Sequence, residues 1–159
     1  MLIAVISDTH DNLFRLEKAL KEIRSREIKL LFHCGDIGIE TIERLKIEAI
    51  QIYAVCGNGD YYPEVEKICK NSNIGIFEDI GEIEIDDKKI AITHLPAVAE
   101  YLSSLKKYNI IFFGHTHRKS FKLLNNAKLI NPGDIMARYN KPSFLIYDTI
   151  KDSIEFIAI

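Results

Sequence analysis

Seven side chains in this 159-residue sequence could ligate metal, and each stands just after an apolar run. Asp8 and His10 follow "LIAVIS", and Asp36 follows Gly35 at the end of "KLLFHCGD". Asn58 follows Gly57 after "IYAVC", and His94 ends "KIAITH". His115 and His117 belong to "IIFFGHTH". Carboxylate oxygen, amide oxygen and imidazole nitrogen together suit Mn, Fe, Zn, Ni or Co, with no thiolate required. Seven donors exceed what one open catalytic ion uses. They match two ions that share a carboxylate, and ions ~3.5–4 Å apart can clamp the attacking and leaving oxygens of an in-line displacement. Each residue alone has a plainer reading. Asp8-Thr9 could cap a helix, Gly35-Asp36 and Asn58 could form turns, and His94 could be a hydrogen-bonded residue at a sheet end. Their joint position at strand ends favours ligation. His33 lies inside an apolar run and reads as structural or supporting. Cys34 and Cys56 read as small buried hydrophobes.

The elements that must position these residues follow from periodicity. The short runs rich in β-branched residues suit strands covered on both faces. Leu13, Leu16, Leu20 and Ile23 recur as one helical stripe, and Ile39, Ile42 and Leu45 mark a second short helix. The order β-α-β-α-β favours a parallel sheet with right-handed crossovers. A helix near Pro63 to Lys70 is followed by strands "IGIFE", "EIEID" and "KIAITH", with a hairpin turn at Asp86-Asp87. A last helix places Val98, Tyr101, Leu102 and Leu105 on one face. "IIFFG", "SFKLL", "KLIN", "SFLIYD" and "SIEFIAI" then read as strands. A parallel half followed by a strand-rich half predicts two sheets packed face to face, with helices outside, in a single domain over residues 1–159. In open α/β sheets, sites lie beyond the carboxyl ends of strands. Gly35, Gly57 and Gly114 fit sharp turns that let backbone approach a ligand.

Composition excludes several classes. A length of 159 residues allows one domain with a sizeable core, and 47% apolar with 28% charged residues is ordinary for a globular chain. The net charge of −2, with both signs interspersed, gives no footprint for nucleic acid. No apolar run approaches the ~20 residues of a membrane span. "MLIAVISD" reads as a first strand rather than a signal peptide, so a cytoplasmic location without a membrane partner is expected. Three cysteines without a CxxC argue against a disulfide framework and a zinc ribbon. Neither GxGxxG nor GxxxxGK[ST] occurs, so nucleotide-binding folds are unsupported. Nothing in the pattern specifies an oligomeric state.

The ordered set "DTH", "GD", "GN", a lone strand-end histidine and "GHTH" resembles the calcineurin-like metallophosphoesterase superfamily. The tail "LINPGDIMARYNKPSFLIYD" also resembles its small single-domain phosphodiesterase branch, so the likeness covers essentially the whole chain. The resemblance implies a four-layer α/β/β/α sandwich of two mixed sheets. It also implies a dinuclear-metal-dependent phosphoesterase that hydrolyses phosphodiesters by in-line attack of a metal-bridging hydroxide. Carried over motif by motif, Asp8, His10 and His117 hold a first metal, and Asn58, His94 and His115 hold a second. Asp36 bridges the two. The cofactor is then a pair of divalent ions, Mn first, with Ni, Zn, Fe or Co as alternatives. The partner is a small phosphate ester.

Three positions depart from the family pattern. Gly59 stands where many members carry a histidine thought to aid the leaving group. Leu95-Pro96 replaces a glycine and a second polar residue, which alters the substrate rim. Asp134 stands in "NPGD" where serine is common. A rival reading is a non-enzymatic scaffold for protein binding, as in a retromer subunit that resembles this branch but has lost metal ligands. A phosphatase with Asp8 as covalent nucleophile would need DxD where this chain has DTH. An amidohydrolase barrel would need ~250 residues.

Overall fold

The first four apolar runs pair side by side, the first three largely buried on both faces and the fourth, at the sheet edge, only partly. The computed structural model describes residues 1–139 and 141–159. In chain order its first half holds β1 (Leu2–Ile6), α1 (Leu13–Ser25), β2 (Leu30–His33), α2 (Ile39–Leu45), β3 (Gln51–Val55), α3 (Tyr62–Cys69) and β4 (Ile74–Phe77). Next come β5 (Ile80–Ile85), β6 (Lys88–Thr93), α4 (Pro96–Ser104) and β7 (Ile110–Phe112). The chain closes with β8 (Ser120–Leu124), β9 (Ala127–Asn131), β10 (Ser143–Asp148) and β11 (Ser153–Ala158). One sheet has the order β11-β10-β1-β2-β3-β4 and the other β5-β6-β7-β9-β8. β1 to β4 run parallel, as do β6, β7 and β9. The remaining pairings are antiparallel.

Strand alternation sorts the side chains into layers. Ile3 and Val5 face the second sheet, joining Phe32, Val55, Ile92, Phe112 and Ile130 in the central core. Ala4 and Ile6 face the opposite way and bury Leu16, Leu20 and Ile23 of α1 and Ile42 of α2. On the far side, Ala91, Ile111 and Leu129 receive Ala99 and Leu102 of α4. The result is the expected four-layer α/β/β/α sandwich of two mixed sheets. Phe32 and Phe112 meet across the sheets at 6.1 Å, and Phe112 meets Tyr147 edge-on at 6.0 Å. Each such large buried side chain contributes about 1.5–3 kcal/mol.

Two expectations change. The sheets do not divide the chain into halves, because β10 and β11 return to the first sheet, beside β1. An uncovered β1 would present a row of unpaired backbone groups, and β10 satisfies that edge. The buried face of α4 is Ala99, Leu102 and Ser103, whereas Tyr101 and Leu105 are exposed. Small side chains at 99 and 103, one turn apart, let this short helix lie close on the sheet.

Candidate metal centre

The carboxyl ends of the parallel strands of both sheets form one rim, stitched together by backbone bonds. Asp8 N donates to Gly35 O at 3.0 Å and His10 N to Asp36 O at 3.1 Å. Within the second sheet, Gly114 N donates to His94 O at 3.0 Å, and His115 N crosses to the first sheet's Asp8 Oδ2 at 3.1 Å. Five of the seven predicted ligands hold a left-handed backbone: Asp8 (φ 51°), His10 (45°), Asp36 (52°), His115 (68°) and His117 (56°). Such a conformation costs about 1–3 kcal/mol for a residue with a side chain and clusters at functional sites. The rim bonds over-determine it here.

Asp8, His10 and His117 lie close enough to hold one ion, their ligand atoms all within 4.8 Å of one another. Asp8 is fully buried. Its Oδ2 accepts from Ser7 Oγ (2.6 Å) and His115 N (3.1 Å). Its Oδ1 is buried with no hydrogen-bond partner and lies 3.6 Å from His117 Nε2. His117 Nδ1 meets Asp134 Oδ2 at 3.0 Å, so the proton sits on Nδ1 and Nε2 is left with a lone pair. His10 and His117 stack with centroids 5.6 Å apart.

The second cluster has the same logic. His94 Nδ1 donates to the Cys34 carbonyl at 2.8 Å, which turns Nε2 into the site. Nε2 stands 3.1 Å from Asn58 Oδ1 and 3.3 Å from His115 Nδ1, and those two are 3.0 Å apart. Three donor atoms around one ion with bonds of about 2.1 Å at right angles would be separated by about 3.0 Å. Asp36 lies between the clusters: its Oδ2 is 3.4 Å from both His10 Nε2 and His94 Nε2. Its other oxygen accepts from Gly59 N at 2.7 Å. Asp8, Asp36 and His94 also form a second close group. All seven predicted residues are therefore brought together. The orphaned Asp8 oxygen and the lone pairs converging on one point fit divalent cations.

The electrostatics sharpen that fit. Burial raises the Asp8 carboxyl, against its bond to Ser7 and the nearby His94 and His117 charges. Burial also pushes the Asp36 carboxyl up, but the hydrogen bonds from His94 and Gly59 and the charges of His94 and His10 outweigh it and hold it at about 2. His94 is pushed down by burial and then raised above its usual value by Asp36, the Cys34 carbonyl and Asp8. Cation binding at His94 Nε2 must displace any proton held there.

Other residues support the rim. His33 accepts from Gly35 N at 3.2 Å through Nδ1, so its Nε2 carries the proton that meets Thr9 Oγ1 at 2.6 Å. Burial holds it neutral, lowered to about 3, in a structural role as expected. Cys34 and Cys56 are buried, as expected. A Cβ at Gly114 would fall 2.0 Å from Ser7 Oγ, and one at Gly57 would fall 2.2 Å from Asp36 Oδ1. These glycines admit the neighbouring chain rather than merely turning it. Asp60 accepts from Ile37 N, Gly38 N and Gly57 N and locks two rim loops together. Asp11 Oδ1 accepts from Thr41 N at 2.8 Å and caps α2 from another loop. Asp134 was noted only as a departure from a motif. It is buried and orients His117. The signal that could have found it is that ligating histidines pass their other N–H to a carboxylate. Leu95 is exposed on the rim, and Pro96 opens α4 beside it.

Known proteins resemble this chain along its whole length. The phosphodiesterase MJ0936 of Methanocaldococcus jannaschii is 30% identical over 165 residues, spanning 100% of this chain and 99% of its own. A solved structure described as a novel archaeal phosphodiesterase superposes with a TM-score of 0.88 at 29% identity, over 100% of both chains. Yfce, a phosphoesterase from E. coli, shares the fold with a TM-score of 0.74 at 19% identity, again over 100% of both chains. The family model for the calcineurin-like phosphoesterase superfamily domain matches residues 1–152. With its sandwich, its rim of candidate strand-end ligands and this match over nearly its full length, the chain belongs to the calcineurin-like phosphoesterase superfamily, a family of metal-dependent phosphoesterases.

Proposed function

We propose that this chain is a dinuclear phosphodiesterase. Asp8, His10 and His117 hold one divalent cation, Asn58, His94 and His115 hold the other, and Asp36 is shared. The observation that carries this reading is Asp36 Oδ2, equally distant at 3.4 Å from a histidine of each cluster. Bound there, the two cations supply Lewis acidity at the phosphoryl oxygens and acidify a water enough to attack near neutral pH. They outweigh the charge of Asp8 and Asp36, so the site draws anions although the chain as a whole carries −2. The protein's part is preorganisation. Ser7 and His115 N–H fix Asp8, Asp134 fixes His117, and the Cys34 carbonyl fixes His94, so few groups need reorient as charge develops.

The mixed oxygen and nitrogen donors favour manganese, with Ni, Zn, Fe and Co as competitors. A diester substrate is supported by the name of the full-length relative MJ0936. Retention of all seven donors separates this reading from a scaffold. Among the described residues no helix is long and apolar enough to cross a membrane. Three free, buried thiols fit a reducing compartment such as the cytoplasm.

The test is a matrix of Mn, Ni, Zn, Co and Fe against chromogenic mono- and diesters, on chelator-stripped protein and on Asp36→Ala. Turnover is expected only with added metal. Asp36→Ala should fall by at least about a hundredfold while keeping its circular dichroism. Near wild-type turnover in that variant would refute the shared-carboxylate site, and inactivity under every metal would favour the scaffold.

A further inference from the structure

The rim around the metal centre is electrically lopsided. On the Asn58 and His94 side lies a cleft of about 450 Å³. Tyr61, Tyr62, Pro63 and Leu95 line it with the carboxylates Glu78 and Asp79, and no lysine or arginine appears among the described residues there. α3 and α4 start at this cleft, but Pro63 and Pro96 in their first turns lack the N–H groups that would bind an anion. On the His117 side lies a cleft of about 470 Å³ lined by Arg118, Lys119 and Lys141. Its one carboxylate, Asp134, is buried, and its Oδ2 contacts His117 Nδ1 and accepts from Arg138 N, while its Oδ1 has no partner among the described residues. Among the described residues, none of these three cations has a carboxylate within ion-pair distance, and the Lys119 ammonium lies over the Phe156 ring at 5.8 Å. In a chain of net charge −2, three exposed and unpaired cations beside one end of the centre form a local anion-attracting field.

The geometry points to a charge-asymmetric phosphodiester as substrate. One arm carries an anionic group, phosphate or carboxylate, and lies against Arg118, Lys119 and Lys141. The other arm is flat and uncharged and enters the Tyr61–Tyr62 cleft. This deepens the phosphodiesterase reading and rests on it. The Tyr61–Tyr62 side offers ring faces and apolar contact, on which a planar group can stack. The opposite flank offers cations whose field is strongest at low salt.

The test uses three p-nitrophenyl phosphodiesters, whose second alcohol is 2-carboxyethyl, ethyl or choline. The metal-loaded full chain should rank them in that order by kcat/KM. Each step is on the order of fivefold at low salt, as expected for a few exposed charge pairs, and shrinks in about 0.5 M NaCl. The double variant Lys119→Ala/Lys141→Ala should lower the carboxyethyl ester several-fold more than the ethyl ester, so that the two converge. A flat or reversed order, or a preference that survives the double variant, would overturn the assignment. Calorimetric titration with orthophosphate and pyrophosphate decides it independently of turnover. Pyrophosphate should bind more tightly to the wild-type chain, and that advantage should vanish in the double variant. Equal affinities in the wild type would overturn the proposal. Failure of all three esters with every metal would count against the phosphodiesterase reading alone, because the two titrations read the flank directly.

Discussion

The two halves of the candidate metal centre differ in what holds them. Asp8 and His117 are buried, and each is fixed by a neighbour that binds its non-ligating atom: Ser7 and His115 N for Asp8, Asp134 for His117. Opposite them, only His94 is buried. Asn58 and His115 are exposed, and their described side-chain bonds run to each other and to His94. In the first half two of three donors are thus built into the protein, one of them with an unpartnered carboxylate oxygen, and only His10 is exposed. The other half is held mainly by contacts among its own three donors, two of which are exposed. A site that need not reorganise binds more tightly, so the Asp8 half should fill at lower metal concentration than the Asn58 half.

Single-histidine variants break this comparison most directly. His117→Ala should abolish the tighter of two binding steps, and His115→Ala the weaker one. Each should leave about one metal per chain by elemental analysis and cut diester turnover by on the order of a hundredfold. Loss of both metals from either variant would mean that the halves are one cooperative unit. A smaller effect is expected from Asp134→Asn, which leaves every ligand in place but weakens the hold on His117 Nδ1. It should lower affinity at the tighter step about 10- to 100-fold and leave the weaker step unmoved, as read by competition with a chelator.

The same contrast explains what could be read from sequence. Asp8, Asp36, Asn58, His94 and His115 were legible because each stands just beyond an apolar run, and a strand end is a local feature. Asp134 was not, because its meaning comes from His117, 17 residues away, on the loop after a neighbouring parallel strand. The role of Asp60 was hidden for a similar reason. Beside Asn58 in sequence, it turns its carboxylate to backbone N–H groups 22 and 23 residues earlier. In α4 the helical period is plain, but Val98, Tyr101, Leu102 and Leu105 form as good a stripe as Ala99, Leu102 and Ser103. Only the sheet beneath decides between them. The return of β10 to β1 was hidden likewise, since a continuous apolar run buried on both faces would have suited either sheet.

Two glycines of one loop offer the finest comparison. Both Gly57 and Gly59 face Asp36, and neither has a left-handed φ, so space alone separates them. A methyl at Gly57 would lie 2.2 Å from Asp36 Oδ1 and 2.3 Å from Asp36 N. The clash includes backbone and cannot be relieved by a rotamer change. Gly57→Ala should therefore destabilise the chain by about 1–3 kcal/mol in urea unfolding, and it should lower metal affinity because Asp36 must move. A methyl at Gly59 would lie 3.1 Å from Asp36 Oδ1 alone, a contact that a few tenths of an ångström relieve. Gly59→Ala should cost less than about 0.5 kcal/mol and leave both metal steps intact. If the two substitutions proved equal, the packing of Asp36 against its rim would be looser than these distances require, and its place between the two halves would lose its structural cause.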